Sequence, residues 1–274
     1  IGCLTAYFYL RPNQALGTDL ANERKLARWG DVSSIALIVL AGARLWAQWQ
    51  TLGGSESGPF ADLMRPMLFE TPWGVGLIGQ TVLGIVASFA FGAVPRSAAW
   101  PVAAGATLLL TVTPALSGHA VAESRPALGV TLDTLHVLAG GIWLGTLTVL
   151  VALSLPVLGD ATARKALQEI LIRFSKIALT SAALVTVTGV YAAWVHVGSW
   201  AALWSTPYGD ALLLKLCTVA LAVILGAINW RVSVPRLTLG RVPRFAASGS
   251  AEVFAALLVY LLTAVLVGRP LPLE

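Results

Sequence analysis

Charge is scarce in this chain. Asp, Glu, Lys and Arg make up 11% of its 274 residues, less than half of the roughly 25% usual in soluble domains. With 57% hydrophobic residues and a mean hydropathy of +0.79, a water-soluble globule is excluded. Cysteine is nearly absent as well. Cys3 and Cys217 each lie inside an apolar run, which excludes a CxxC metal motif and fits two small hydrophobes better than a disulfide. No Gly-rich phosphate loop, HExxH motif or Ser-His-Asp spacing occurs, so nothing marks a phosphate-binding or hydrolytic enzyme and no catalytic residue is assigned. Methionine and histidine are almost as rare, at two and three residues.

What is present is a succession of long apolar runs. Eight segments read as membrane helices: 1–10, 30–49, 72–94, 98–116, 130–156, 173–195, 210–230 and 248–267. Most reach the ~20 residues needed to cross the hydrocarbon, and a helix satisfies its own backbone there. The first is short and begins at Ile1; it reads as a helix truncated by the chain start. The expected fold is all-α, a polytopic bundle in contact with membrane lipid.

The net charge of +5 is not a nucleic-acid signature, because the basic residues sit in short loops where they set topology. Arg11, Arg24, Lys25 and Arg28 fall in the first loop, and Arg96 in a tight turn. Arg164, Lys165, Arg173 and Lys176 fall in 157–176, and Arg231, Arg236, Arg241 and Arg244 in 231–247. The alternate loops hold Arg65 alone, Arg125 alone, and none over 196–209. The first set is therefore read as cytoplasmic, and both chain ends as outward-facing. Trp46, Trp49, Trp73, Trp194, Trp200 and Trp204 then form an outer belt, with Trp29, Trp100 and Trp230 at the inner interface.

The two halves resemble each other. Thr71-Pro72-Trp73-Gly74 matches Thr206-Pro207-Tyr208-Gly209, Arg28-Trp29-Gly30 matches Arg173-Phe174-Ser175, and Ala41-Gly42 matches Thr188-Gly189. These matches suggest two parallel four-helix repeats, 1–116 and 117–274, within one membrane domain. Short matches of this kind also arise by chance at membrane interfaces. The polar residues are not shared: His196 aligns with Trp49, His119 with Arg269, and Lys215 with Gln80.

All three histidines, His119, His136 and His196, and both methionines, Met64 and Met67, fall on the side read as outer. Imidazole and thioether are ligands that soft transition metals prefer. Asp133 and His136 are three residues apart and share a helix face, so Asp133 could orient a ligand imidazole. A helix-start carboxylate favoured by the dipole is the plainer reading of Asp133. His119 ends the fourth helix and could approach His136 across a short loop. A lone interfacial histidine such as His196 is more often a polar anchor than a ligand. Met64 and Met67, in a predicted outer loop, read as a capture pair for Cu(I), or simply as interfacial packing. Arg44, Gln80, Lys215, Asn229 and Glu252 are the remaining polar groups within spans, as pathway or structural residues. Gly141 and Gly145 form GxxxG, a close-packing motif.

Asp133-Thr134-Leu135-His136 followed by Gly141-Ile142-Trp143-Leu144-Gly145 resembles the D-x-x-H…W-x-G helix of the copper-resistance protein D family. Ser117-Gly118-His119-Ala120 fits it, as does the stretch from Arg173-Phe174-Ser175 through Thr188-Gly189, the Thr206 motif, Lys215, Asn229 and Glu252. The resemblance is strong over 117–267 and weaker before. It implies an eight-helix protein of the bacterial inner membrane, proposed to move copper from periplasm to cytoplasm; the expected partners are the copper ion and, as a candidate supplier, a periplasmic copper-binding protein. Two alternatives stand beside this reading. One is a b-type haem protein using two histidines for bis-His ligation; a Soret band would mark it. The other is a non-transporting copper chaperone or assembly factor.

Overall fold

The computed structural model describes residues 1–10, 20–53, 59–94, 96, 98–122, 125–155, 159–236, 239, 242–269 and 272. The described residues are helical and contain no strand. In chain order the helices are α1 (Gly2–Thr5), α2 (Leu20–Thr51), α3 (Phe60–Glu70), α4 (Pro72–Gly92), α5 (Ala99–Leu110), α6 (Thr113–Leu116), α7 (Pro126–Gly140), α8 (Thr146–Ser154), α9 (Ala161–Val197), α10 (Trp200–Ser205), α11 (Pro207–Ile228) and α12 (Val242–Val267). One π turn (Gly141–Gly145) joins α7 to α8, and another (Asn229–Ser233) extends α11. A third, Ala6–Leu10, follows α1.

Seven stretches among the described residues are long and apolar enough to cross a membrane: 23–51, 72–92, 99–116, 126–154, 161–197, 207–233 and 246–267. They coincide with seven of the eight expected segments. The expected first segment is a short helix and a π turn. Large apolar side chains remain exposed along the spans, including Phe89 at 78%, Leu179 at 74% and Phe254 at 70%. This is the lipid-facing surface of a membrane protein.

Two expected loops are helical. The basic stretch 157–176 is helix from Ala161 onward, because Arg, Lys and Glu are good helix formers and charge alone does not end a helix. Asp160 starts α9 by accepting hydrogen bonds from Thr162 and Ala163 N–H groups, each at 3.1 Å. The Met64–Met67 stretch is also not a loop. It lies in α3, and Met64 is 1% exposed.

The chain falls into two compact units, one of Asp19–Leu138 with Ile1 and Cys3, the other of Ala139–Glu274 with Gly2 and Leu4–Thr18. In the first unit α4 is central, packed by α2, α3, α5 and α6. In the second, α11 packs against α12, α10 and α9, and α8 packs against α12. There Gly2 lies so close to the Gly145 backbone that a side chain at Gly2 would collide with it, a close approach of the kind small residues allow.

Each unit turns the chain at a Thr-Pro corner. Thr71 Oγ1 accepts from the Gly74 N–H at 3.1 Å and donates to the Met67 carbonyl at 2.5 Å. Thr206 Oγ1 accepts from the Gly209 N–H at 3.1 Å and donates to the Ala202 carbonyl at 2.7 Å. Proline follows as the first helical residue in both, where its missing N–H costs nothing. A Cβ on Gly74 would strike the backbone of Met67 and Leu68, and one on Gly209 the carbonyls of Ala202 and Leu203. Only glycine fits at either corner.

Candidate functional site

α7 carries both Asp133 and His136. Asp133 and His136 are one turn apart on the same face and both half-buried. α7 starts at Pro126, four residues before the expected start. His136 is therefore ten residues into the helix, ~15 Å of axial rise, rather than the ~9 Å read from sequence. His119 opens a one-turn 3₁₀ segment, His119–Ala122, that follows α6. Its side chain, and with it the expected approach of His119 to His136, lies outside the described residues. Among the described residues no group of three or more His, Cys, Asp and Glu is gathered to hold a metal ion.

His196 sits in the last turn of α9, which Gly198 closes with a φ of 68°. Its Nδ1 lies 3.4 Å from the Tyr208 hydroxyl and its Nε2 is buried. Tyr208 belongs to an apolar cluster with Val197, Ala202, Leu212 and Leu266. Both ring nitrogens thus face protein, as in an interfacial anchor. Sequence reasoning missed Tyr208, although its place in Thr-Pro-Tyr-Gly was a signal. Met67 is half-buried on α3 beside the enclosed Met64, so the expected outer-loop pair is held on a helix.

The other intramembrane polar groups pair helix to helix. In the first unit Arg44 Nη1 donates to Gln80 Oε1 at 3.2 Å, and Gln80 Nε2 donates to the Leu37 carbonyl at 3.0 Å. These bonds tie α2 to α4. Ser88 of α4 also donates to Asp31 Oδ1 of α2 at 2.5 Å, a link the sequence reading did not single out. In the second unit Asn229 Nδ2 donates to Glu252 Oε2 at 2.6 Å. Lys215 is half-buried on α11. Cys3 and Cys217 are both free thiols.

Comparison with known proteins places this arrangement. The signature described as Copper resistance protein D matches residues 168–266, and that described as Copper resistance protein D-like, N-terminal domain, matches residues 1–130. The chain belongs to the copper-resistance protein D family. Among curated proteins it is similar to the copper transport protein CutJ of Bacillus subtilis (strain 168), 25% identical over 232 residues. The match covers 82% of this chain and 43% of CutJ, so the chain spans less than half the length of that relative. No solved structure matches. The chain is a multi-pass, copper-related membrane protein. Of the residues assigned to the D-x-x-H…W-x-G helix, Asp133 and His136 lie in α7, while Gly141–Gly145 form the π turn that follows.

Proposed function

We propose that this protein imports copper across the bacterial inner membrane, receiving it on the periplasmic side at a site built on His136 and Asp133 of α7 and completed by His119. The observation that carries the reading is the Asp133–His136 pair. It puts a carboxylate one turn from an imidazole, half-buried inside a candidate span of a copper-family protein. An imidazole ligand held by a nearby carboxylate keeps its orientation and gains basicity. An intramembrane acid is costly unless it faces protein, water or a functional partner. A periplasmic copper-binding protein would supply the ion. The Tyr208 contact favours a structural role for His196, and the burial of Met64 favours packing for that residue. Met67 remains as an accessory thioether.

Copper uptake into proteoliposomes tests the reading. The wild type is expected to accumulate copper. His136→Ala should abolish both binding and uptake, and Asp133→Asn should weaken binding by roughly 10–100-fold. Binding without uptake would reassign the protein to copper presentation, and a Soret band in the purified protein would move it to haem. Orientation is tested by single cysteines in a background without Cys3 and Cys217. A cysteine at Glu70 should label from the periplasm and one at Thr162 should not; the reverse would put the site on the wrong side.

A further inference from the structure

The second unit holds one enclosed carboxyl group that the copper reading does not use. Glu252 of α12 is 5% exposed and its partner Asn229 is 7% exposed. Asn229 Nδ2 donates to Glu252 Oε2 at 2.6 Å, and Asn229 Oδ1 is buried and accepts no hydrogen bond. The other carboxylate oxygen occupies space left by Gly226, where a Cβ would come within 2.9 Å of Oε1. Four residues along each helix, toward the end carrying Arg231 and Arg236, the Ser233 and Ser248 hydroxyls lie 3.1 Å apart. Four residues is ~6 Å of rise, so the two polar pairs form successive rungs between α11 and α12. Between them the backbone widens into the π turn, closed by the Val234 N–H on the Asn229 carbonyl at 2.8 Å. Single π turns concentrate at functional sites.

α9 packs against the π turn, where Gln168 Nε2 donates to the Val234 carbonyl at 3.1 Å, and carries Glu169, Arg173 and Lys176 on the following turns, all three exposed. α8 carries no charged or titratable group. On α11, Cys217, Lys215 and Asp210 are ~18, ~21 and ~28 Å along the axis from Asn229, and Tyr208 is farther still. Arg231 is exposed and stacks on Trp230, 5.8 Å from the ring centre. On α12, Tyr260 is ~12 Å farther along the axis and donates to the Gly140 carbonyl at 3.4 Å. The Arg244 side chain is outside the described residues. The atoms here that could ligate a metal, the Glu252 carboxylate and the Asn229 amide oxygen, are oxygens, a hard set that does not suit soft Cu(I). An ionised carboxylate buried without a cation is costly, whereas a protonated one can donate to the amide oxygen of Asn229 after a simple rotation of that amide.

We propose that Glu252 is a proton-exchange site, positioned by Asn229 and connected to the basic end of the second unit by the Ser233–Ser248 pair. A hydronium ion at that end gives its proton to one serine hydroxyl and is left as water, while the hydroxyl protons shift along the pair and one passes on to Glu252. The Glu252 carboxylate becomes a carboxylic acid, and each serine is left unchanged.

Infrared difference spectroscopy on metal-free protein in lipid nanodiscs tests this as pH is stepped. Copper is absent, so the result is independent of the copper reading. The expected result is a carboxylic-acid C=O band that disappears as pH rises and is lost in Glu252→Gln at every pH. Asn229→Ala should keep the band and shift its frequency, which a purely structural glutamate elsewhere would not do. The double change of Ser233 and Ser248 to Ala should slow exchange after a pH jump without moving its end point. Absence of a titrating band in the wild type, its persistence in Glu252→Gln, or an unshifted band in Asn229→Ala would overturn the proposal. The last of these stands even if Glu252→Gln fails to fold.

Discussion

The corners at Thr71 and Thr206 share one construction, and the polar groups near them do not. Both threonines are extended, with φ/ψ of −118°/148° and −125°/149°. Both cap the following helix through the same two hydrogen bonds, and both require glycine three residues on. Yet Trp73 of the first corner is Tyr208 in the second, where it meets His196. The first unit buries Gln80, tied to Arg44, and the second buries Glu252, tied to Asn229. The corner recurs because a short helix must turn sharply into a span with its backbone satisfied. Side chains that recur serve that turn. Those that differ are where function should be sought.

Stability measurements can break or sharpen this comparison. The largest effect is expected at the corner glycines. Gly74→Ala and Gly209→Ala each force a methyl group into backbone and should cost up to about 3 kcal/mol, measured by denaturant unfolding in detergent micelles. A silent Gly209→Ala beside a damaging Gly74→Ala would end the equivalence. Next comes a non-recurring group: Gln80→Ala removes two hydrogen bonds between α2 and α4 and should cost about 1–2 kcal/mol. Loss of the caps in Thr71→Ala and Thr206→Ala should cost about 1 kcal/mol each, and equally. The smallest effect has the opposite sign. Nothing lies within 4 Å of a Cβ at Gly42 in mid-α2, so Gly42→Ala should stabilise by about 0.5–1 kcal/mol.

Much of this fold is legible from hydropathy, because a run of about 20 apolar residues matches the thickness of the hydrocarbon and little else in a protein needs one. The helix ends are not. α9 runs 37 residues, ~55 Å, well beyond the hydrocarbon. Its start reads as a loop in the sequence because Arg164, Lys165, Arg173 and Lys176 interrupt the apolar run without interrupting the helix. α3 escapes a hydropathy reading because it is short and mixed in polarity, and α10 because it has only six residues; the first leaves Met64 and Met67 in a supposed loop. The Thr-Pro-aromatic-Gly motif is readable as a recurring feature, since its hydrogen bonds are local. Asn229 with Glu252, Ser88 with Asp31 and Tyr208 with His196 depend on the register between helices, which no local pattern carries. Asp133 and His136 are readable as neighbours because one helix holds both.

The most direct test of the account is a competition titration of copper against a chelator of known affinity, run in parallel on His136→Ala and His196→Ala. If function lies in the Asp133–His136 pair, His136→Ala loses high-affinity binding while His196→Ala, whose ring is held by Tyr208, retains it. Wild-type affinity in His136→Ala, or an equal loss in both variants, would contradict it.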